Sequence, residues 1–335
     1  MPDLAPEAVH DHLLDRAPRI LRFDPEDYFP EWQSAVRRSF KQLLGLMPAK
    51  VSTDPQILSD ETLAAPVPHR RIRFLFTAEP RAHVPCTLLL PQNKSAPHPL
   101  VICLQGHGAQ ASRNLGGVQD YDFAIQALQN GYAALSLELR CFGERAEQRP
   151  LEAKRGNLDP CHHPALAALL VGRTMIGERV FDISRALDTL LEHFPQIDPN
   201  KIAVMGFSGG GRIAYYAAAF DPRIAAVMPA SCLCPFKESV GQLTNCPCQY
   251  LPNIMHYFDM SDLAGLIVPR PLIILTGKSD PIFPLAAVER CTGEIQQIYK
   301  AQNAENACRL IVTPVGHEPS PMLMWPALKE VTGWT

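Results

Sequence analysis

No basic run and no long apolar run marks this sequence. Lysine and arginine total 31 against 34 aspartates and glutamates, a formal net charge of -3 over 335 residues. That balance gives no general attraction for nucleic acid or for anionic membranes. No uninterrupted apolar stretch is long enough to span a bilayer. The start of the chain, Met1-Pro-Asp-Leu-Ala-Pro-Glu-Ala-Val-His10, lacks both the basic and the apolar part of a secretory signal, so the expectation is a cytoplasmic protein. Internal repeats and low-complexity tracts are missing too, which argues against a propeller or a solenoid. What remains, 47% hydrophobic and 19% charged residues, fits a soluble globular enzyme built as one large α/β domain with insertions.

Ten cysteines are dispersed through a chain with enough apolar residues to build a core without staples. The pairs Cys232-Leu-Cys234 and Cys246-Pro-Cys248 raise a metal site or a disulfide, but Cys-x-Cys is a poorer signal than Cys-x2-Cys. Packed thiols and no metal are therefore expected. The adjacent His162 and His163 point in different directions and lack a third ligand at convincing spacing, so they too read as a cap loop.

Residues 1–65 read as a helical and irregular N-terminal extension packed on the main domain, with Trp32, Val36, Phe40, Leu43 and Leu44 recurring at helical spacing. Residues 66–335 read as the catalytic domain. It opens on an antiparallel hairpin, Arg71 to Thr77, where apolar residues alternate, and a second extended run, Val84 to Pro91. Continuous apolar strands then alternate with helices: strands at 100–104, 132–138, 202–205, 224–229, 272–276 and 310–313, helices at 121–130, 175–193 and 211–219. That alternation predicts a mainly parallel sheet covered on both faces, with ligands beyond the carboxyl ends of its strands. Two stretches, about 141–172 and 232–265, are too long for plain connections and read as cap insertions over that edge.

Gly206-Phe207-Ser208-Gly209-Gly210 carries the chemistry. A buried strand precedes it and a helix follows, so the serine sits at a tight corner that lifts Oγ into solvent, with the first amides of the helix aimed at the same spot. A serine hydroxyl needs a base, and the base needs a carboxylate. Downstream of Ser208 the sequence offers four aspartates, Asp221, Asp259, Asp262 and Asp280, and two histidines, His256 and His317. Asp280 and His317 each lie just past an apolar strand, so both should open on the edge that carries Ser208. Asp221 reads as a turn residue, Asp259 and Asp262 belong to a cap insertion, and His256 is the weaker base. A tetrahedral oxyanion wants two donors. The amide of Gly209 supplies one and the amide of His107, in Gln105-Gly-His-Gly108, supplies the other.

These residues resemble the α/β-hydrolase superfamily, specifically its acetyl xylan esterase and dienelactone-hydrolase-related branch, from about Arg71 to the C-terminus. Beyond the Ser208 motif the resemblance rests on Leu137-Glu-Leu-Arg-Cys-Phe-Gly-Glu144, on Gly177-Glu-Arg-Val-Phe-Asp-Ile-Ser-Arg-Ala-Leu-Asp188 and on Leu263-Ala-Gly-Leu-Ile-Val-Pro-Arg-Pro-Leu272. It implies the α/β-hydrolase fold and a serine carboxylester hydrolase without a cofactor, working through an acyl-enzyme on acetyl or other short acyl esters, sugar esters among them. Two positions depart from the family: Gln105 stands where a histidine is common, and Cys141 where the arginine element carries glycine. Dienelactone hydrolases use cysteine as nucleophile, so Ser208 argues for ordinary esters. Arg140 and Glu178 are candidates to brace the site, against the reading of an ordinary ion pair. Tyr250, Met255, His256, Tyr257 and Phe258 are candidates to line a pocket. The partner implied is a small-molecule ester, with no nucleic acid and no membrane. The rival readings are a serine peptidase or amidase of the same fold, and a ligand receptor that kept the fold without the chemistry.

Overall fold

Among the described residues nine strands pair into one sheet, and its central apolar strands hide both faces there. The computed structural model describes residues 4–148, 159–243 and 245–334. In chain order the strands are β1 (Gln56–Leu63), β2 (His69–Glu79), β3 (Ala82–Pro91), β4 (His98–Leu104), β5 (Ala133–Leu137), β6 (Ile197–Phe207), β7 (Ala226–Ala230), β8 (Leu272–Gly277) and β9 (Cys308–Thr313). Their order across the sheet is β1-β2-β3-β5-β4-β6-β7-β8-β9. The first three pair antiparallel and join β5 antiparallel; from β5 to the far edge every pairing is parallel. The parallel strands are wrapped: β4, β5, β7 and β8 are buried along their whole length, as two-sided burial requires.

The helices are α1 (Pro6–Asp15), α2 (Phe29–Leu43), α3 (Phe123–Gln129), α4 (His162–Leu170), α5 (Met175–His193), α6 (Gly209–Phe220), α7 (Ile254–Tyr257), α8 (Leu285–Lys300) and α9 (Met324–Thr332). Side chains alternate across each strand and so feed two cores. Leu100, Ile102 and Leu104 join one core with α2, α5, α6 and α8, while Val101 and Cys103 join the other with α3 and α9. The fold is thus the expected one, a mainly parallel sheet with helices on both faces.

The N-terminal region differs from expectation in one element. α2 does bury Trp32, Val36 and Phe40, but residues 56–63 are a strand, β1, and part of the sheet. Its sequence, Gln-Ile-Leu-Ser-Asp-Glu-Thr-Leu, carries polar residues on both faces, which hides the period of two. As an edge strand it is held by backbone pairing and by ion pairs to β2, Asp60 with Arg70 at 2.5 Å and Glu61 with Arg71 at 3.1 Å. The residues ahead of α2 are pinned by Arg19, which reaches Asp262 at 2.9 Å and Glu294 at 3.0 Å, and by the Trp32 indole, which donates to the Leu21 carbonyl at 2.9 Å.

Of the two insertions, the first contributes a 3-10 turn at Gly143–Arg145 and α4, with 149–158 outside the described residues. The second contributes a 3-10 turn at Pro247–Gln249 and α7, with residue 244 likewise outside.

Candidate active site

β6 stops at Phe207 and α6 starts at Gly209, so one residue must reverse the chain. Ser208 does so at φ 52° and ψ -119°, a conformation an L-residue reaches only with strain of order 1–3 kcal/mol. The turn closes tightly: a Cβ on Gly206 would lie 2.5 Å from the carbonyl of Gly210, and one on Gly210 would collide with the carbonyl oxygens of Gln105 and Leu104. The flanking glycines are there because backbone occupies the space of a side chain. The Ser208 amide donates to the Ala230 carbonyl at 2.8 Å, which ties the corner to β7.

Asp280 and His317 arrive from the ends of β8 and β9. The loops that carry them are laced together, the Lys278 amide donating to Thr313 O at 2.8 Å and the Ser279 amide to Val315 O at 3.1 Å. Asp280 is buried. Its Oδ1 accepts from the amides of Ile282 at 2.8 Å and Phe283 at 3.1 Å, and its Oδ2 lies 2.8 Å from His317 Nδ1. The carboxylate can only accept, so Nδ1 carries the proton. That leaves Nε2 to accept from the Ser208 hydroxyl, 3.0 Å away. The imidazole lies tilted against Phe207, 4.7 Å between ring centroids, and Phe283, 5.6 Å. The phenylalanines were not singled out in the sequence, although Phe207 is the variable residue of the Gly-x-Ser corner.

The loop after β4 comes close to the same corner. A methyl on Gly209 would lie 3.3 Å from the backbone nitrogen of His107 and 3.2 Å from Nε2 of Gln249, so the two candidate oxyanion amides belong to adjacent residues in space. Gln105, the departure from the family pattern, donates to Glu138 Oε1 at 2.8 Å, and the Ala111 amide donates to the same oxygen at 3.0 Å. Burial raises the Glu138 carboxyl above its ordinary range, against the opposing pull of the Ala111 N–H. Gln105 thus braces the loop through a buried acid.

The imidazole of His107 reaches Cys161. Its Nε2 lies 3.1 Å from Cys161 Sγ, which lies 3.0 Å from Cys246 Sγ. The cysteines therefore do not group as the sequence suggested. Cys246 and Cys248 join Cys161 and His107, whereas Cys232 lies against Gly211 behind the corner and Cys234 packs with Phe283, Ala287 and Val288.

Arg140 and Glu178 form the ion pair, at 2.9 Å, inside a larger network. Arg140 also meets Asp182 and Glu79, both at 2.7 Å, while Arg145 meets Asp182 at 2.8 Å and Arg173 meets Glu79 at 2.6 Å. Among the described residues neither Arg140 nor Glu178 bonds to Ser208, Asp280 or His317; what the structure shows of them is this ion network. The pocket residues divide. Tyr250, Met255 and His256 line a cavity of about 570 Å³ with His10, Leu13, Phe236 and Gln249. Tyr257 and Phe258 do not line it: Phe258 is fully buried and packs on Phe40, 6.5 Å between centroids. Gln249, which nothing in the sequence flagged, lines this cavity and also stands beside Gly209, while Ser208 and His317 are not among the residues that line it. Arg212, buried behind it, donates to Gln249 Oε1 at 3.4 Å.

The Abhydrolase family model matches residues 7–298, a span that includes Ser208 and Asp280 and ends before His317. The Bacillus subtilis protein named "Putative hydrolase YtaP" is 25% identical over 311 residues, covering 89% of this chain and 98% of that protein. Among solved structures, the "putative acetyl xylan esterase (BF1801)" of Bacteroides fragilis superposes with a TM-score of 0.80 at 17% identity, over 98% of this chain and 96% of the other. The glucuronoyl esterase of Solibacter usitatus gives 0.71 at 15%, over 94% and 97%. At such identities the superpositions speak for the fold.

Proposed function

This chain belongs to the Abhydrolase family, and from that premise we propose that it is a serine carboxylester hydrolase acting on short-chain, chiefly acetyl, esters of carbohydrates. One observation carries the reading: His317 bridges Asp280 at 2.8 Å and Ser208 at 3.0 Å with its two nitrogens in the right order. Ser208 Oγ attacks the ester carbonyl as Nε2 takes its proton, and Asp280 stabilises the imidazolium that forms. The carbonyl oxygen becomes an anion facing the amides of His107 and Gly209. Such a donor is worth about 3–4 kcal/mol in the transition state. The imidazolium gives its proton to the leaving alcohol, the acyl group stays on Ser208, and a water deprotonated by the same nitrogen releases the acid.

The carbohydrate part of the reading is supported by the kind of proteins that share the fold over nearly the whole chain, acetyl xylan and glucuronoyl esterases among them. The test is hydrolysis of an aryl acetate, then of acetylated and methyl-esterified sugars, by the purified chain and by Ser208→Ala. Turnover that survives the substitution would reject the nucleophile. Turnover of aryl acetate with none of any sugar ester would reject the substrate class and leave the mechanism standing.

A further inference from the structure

We propose that His107, Cys161, Cys246 and Cys248 bind one zinc ion that fastens both insertions to the loop beside Ser208. The four side chains come from three separate places: the loop after β4, the residue before α4, and the 3-10 turn at Pro247–Gln249, which carries Cys248 inside it and Cys246 just before it. Their ligand atoms, one imidazole nitrogen and three sulfurs, all lie within 4.8 Å of one another. A tetrahedral zinc with Zn–S of about 2.3 Å and Zn–N of about 2.0 Å sets its ligand atoms roughly 3.5–3.8 Å apart. The two pairs at 3.1 Å and 3.0 Å need only open slightly, and no other pair exceeds 4.8 Å. Three thiolates and one imidazole are a common closed, structural zinc set.

A second observation is independent of the cluster's shape. Arg179 is 1% exposed, and among the described residues its guanidinium meets no carboxylate. It donates to the Arg140 carbonyl at 2.9 Å and to Cys248 Sγ at 3.4 Å, and it lies over the Phe142 ring, 4.6 Å from the centroid. A buried cation without a counter-charge costs several kcal/mol. Zinc with three thiolates and a neutral imidazole carries one net negative charge, which is the charge Arg179 lacks. Neutral thiols leave it uncompensated. The chemistry balances without an oxidant: each S–H that breaks gives its proton to solvent and its electron pair to a Zn–S bond, and no electron reaches the metal.

The consequence for the reaction rests on the ester-hydrolase reading. His107 would hold zinc with its side chain and the oxyanion with its amide, so the metal would set the position of that donor without touching substrate.

Metal content tests the site apart from activity. The full chain, made without a polyhistidine tag in zinc-supplemented culture, should contain about one zinc per molecule by elemental mass spectrometry, as a single four-donor site implies. Cys246→Ser/Cys248→Ser should lose it. If that variant fails to fold, the unaltered chain still decides: stripped with a chelator and given cobalt(II), it should develop the thiolate charge-transfer band and the intense visible bands of a tetrahedral sulfur site. A chain that takes up neither metal overturns the proposal, as does a Cys161–Cys246 disulfide found by mass spectrometry of the native protein. Stripping zinc should also lower kcat for the aryl acetate by up to about 10²–10³-fold, the range for a lost oxyanion donor. Bound zinc with unchanged kcat would sink the coupling alone, and bound zinc in a chain without turnover would sink the ester-hydrolase reading alone.

Discussion

At the scale of single residues, the geometry around His317 makes the sharpest commitments. Asp280 holds the proton on Nδ1, so Asp280→Asn, which offers an N–H in its place, should favour the wrong tautomer and lower kcat about 10⁴-fold while leaving KM nearly unchanged. A loss under tenfold would mean that the carboxylate does not orient the base. Ser208→Ala should also abolish labelling by a fluorophosphonate, whereas Asp280→Asn should only slow it. Labelling that survives in Ser208→Ala would place the nucleophile elsewhere. Ser208, Asp280 and His317 were legible because each lies a residue or a few past an apolar strand, and parallel strands deliver their carboxyl ends to one edge. His107, Cys161, Cys246 and Cys248 were not legible as a group. Their meeting depends on how two irregular insertions fold back, and no periodicity records that.

At the scale of elements, two contacts can be weighed. α2 crosses the 262–266 segment so closely that a Cβ on Gly265 would run into the Trp32 indole. Gly265→Ala should therefore cost about 1–3 kcal/mol, the usual cost of overpacking a filled core, read as a lower urea midpoint. Trp32→Leu in the same chain should recover part of that loss in a double-mutant cycle, and strict additivity would show that the two do not compete for space. The ion network between β2, α5 and the 140–145 segment predicts an acid transition. Burial alone would raise Asp182, yet Arg145 and Arg140 outweigh it and hold the carboxyl below its ordinary range. Glu79 is lowered likewise against its own burial, by Arg173 and Arg140. Carboxyls lowered by folding stabilise the native state above their unfolded values of about 4, and that contribution drains away as pH falls through the folded values. Urea midpoints should thus drop steeply below about pH 4, and Asp182→Asn, less stable at neutral pH, should show a shallower drop. Parallel slopes in the two proteins would remove Asp182 from the acid response. β1 shows where element-scale reading stops. An edge strand needs no apolar face, so Gln56–Leu63 carries no alternation to find.

At the scale of the whole molecule, α1 buries none of its own residues, yet His10, Leu13 and Leu14 wall the 570 Å³ cavity whose lining includes Gln249, the neighbour of Gly209. A chain beginning at Arg16 should keep its urea midpoint and its kcat on an aryl acetate, but change the ratio of kcat/KM between acetate and longer acyl esters. An equal fall for every ester would mean that α1 supports the core and has no part in selecting substrate. The mainly parallel sheet and its two coverings were readable because buried parallel strands are uninterrupted apolar runs, which few other structures use. The shape of the cavity was not, since Phe258 and Tyr257 have the same aromatic character as Tyr250 and only the turn of α7 decides which side each faces.

The base arrives last. Residue 317 follows the outermost strand, more than a hundred positions after the serine it is to activate, so the proposed relay closes only when β9 has docked along β8. In the proposed mechanism, a chain that stops short of that strand lacks the residue whose Nε2 faces the Ser208 hydroxyl. On the ester-hydrolase reading, the chain should therefore stay inert toward esters until that last strand is in place.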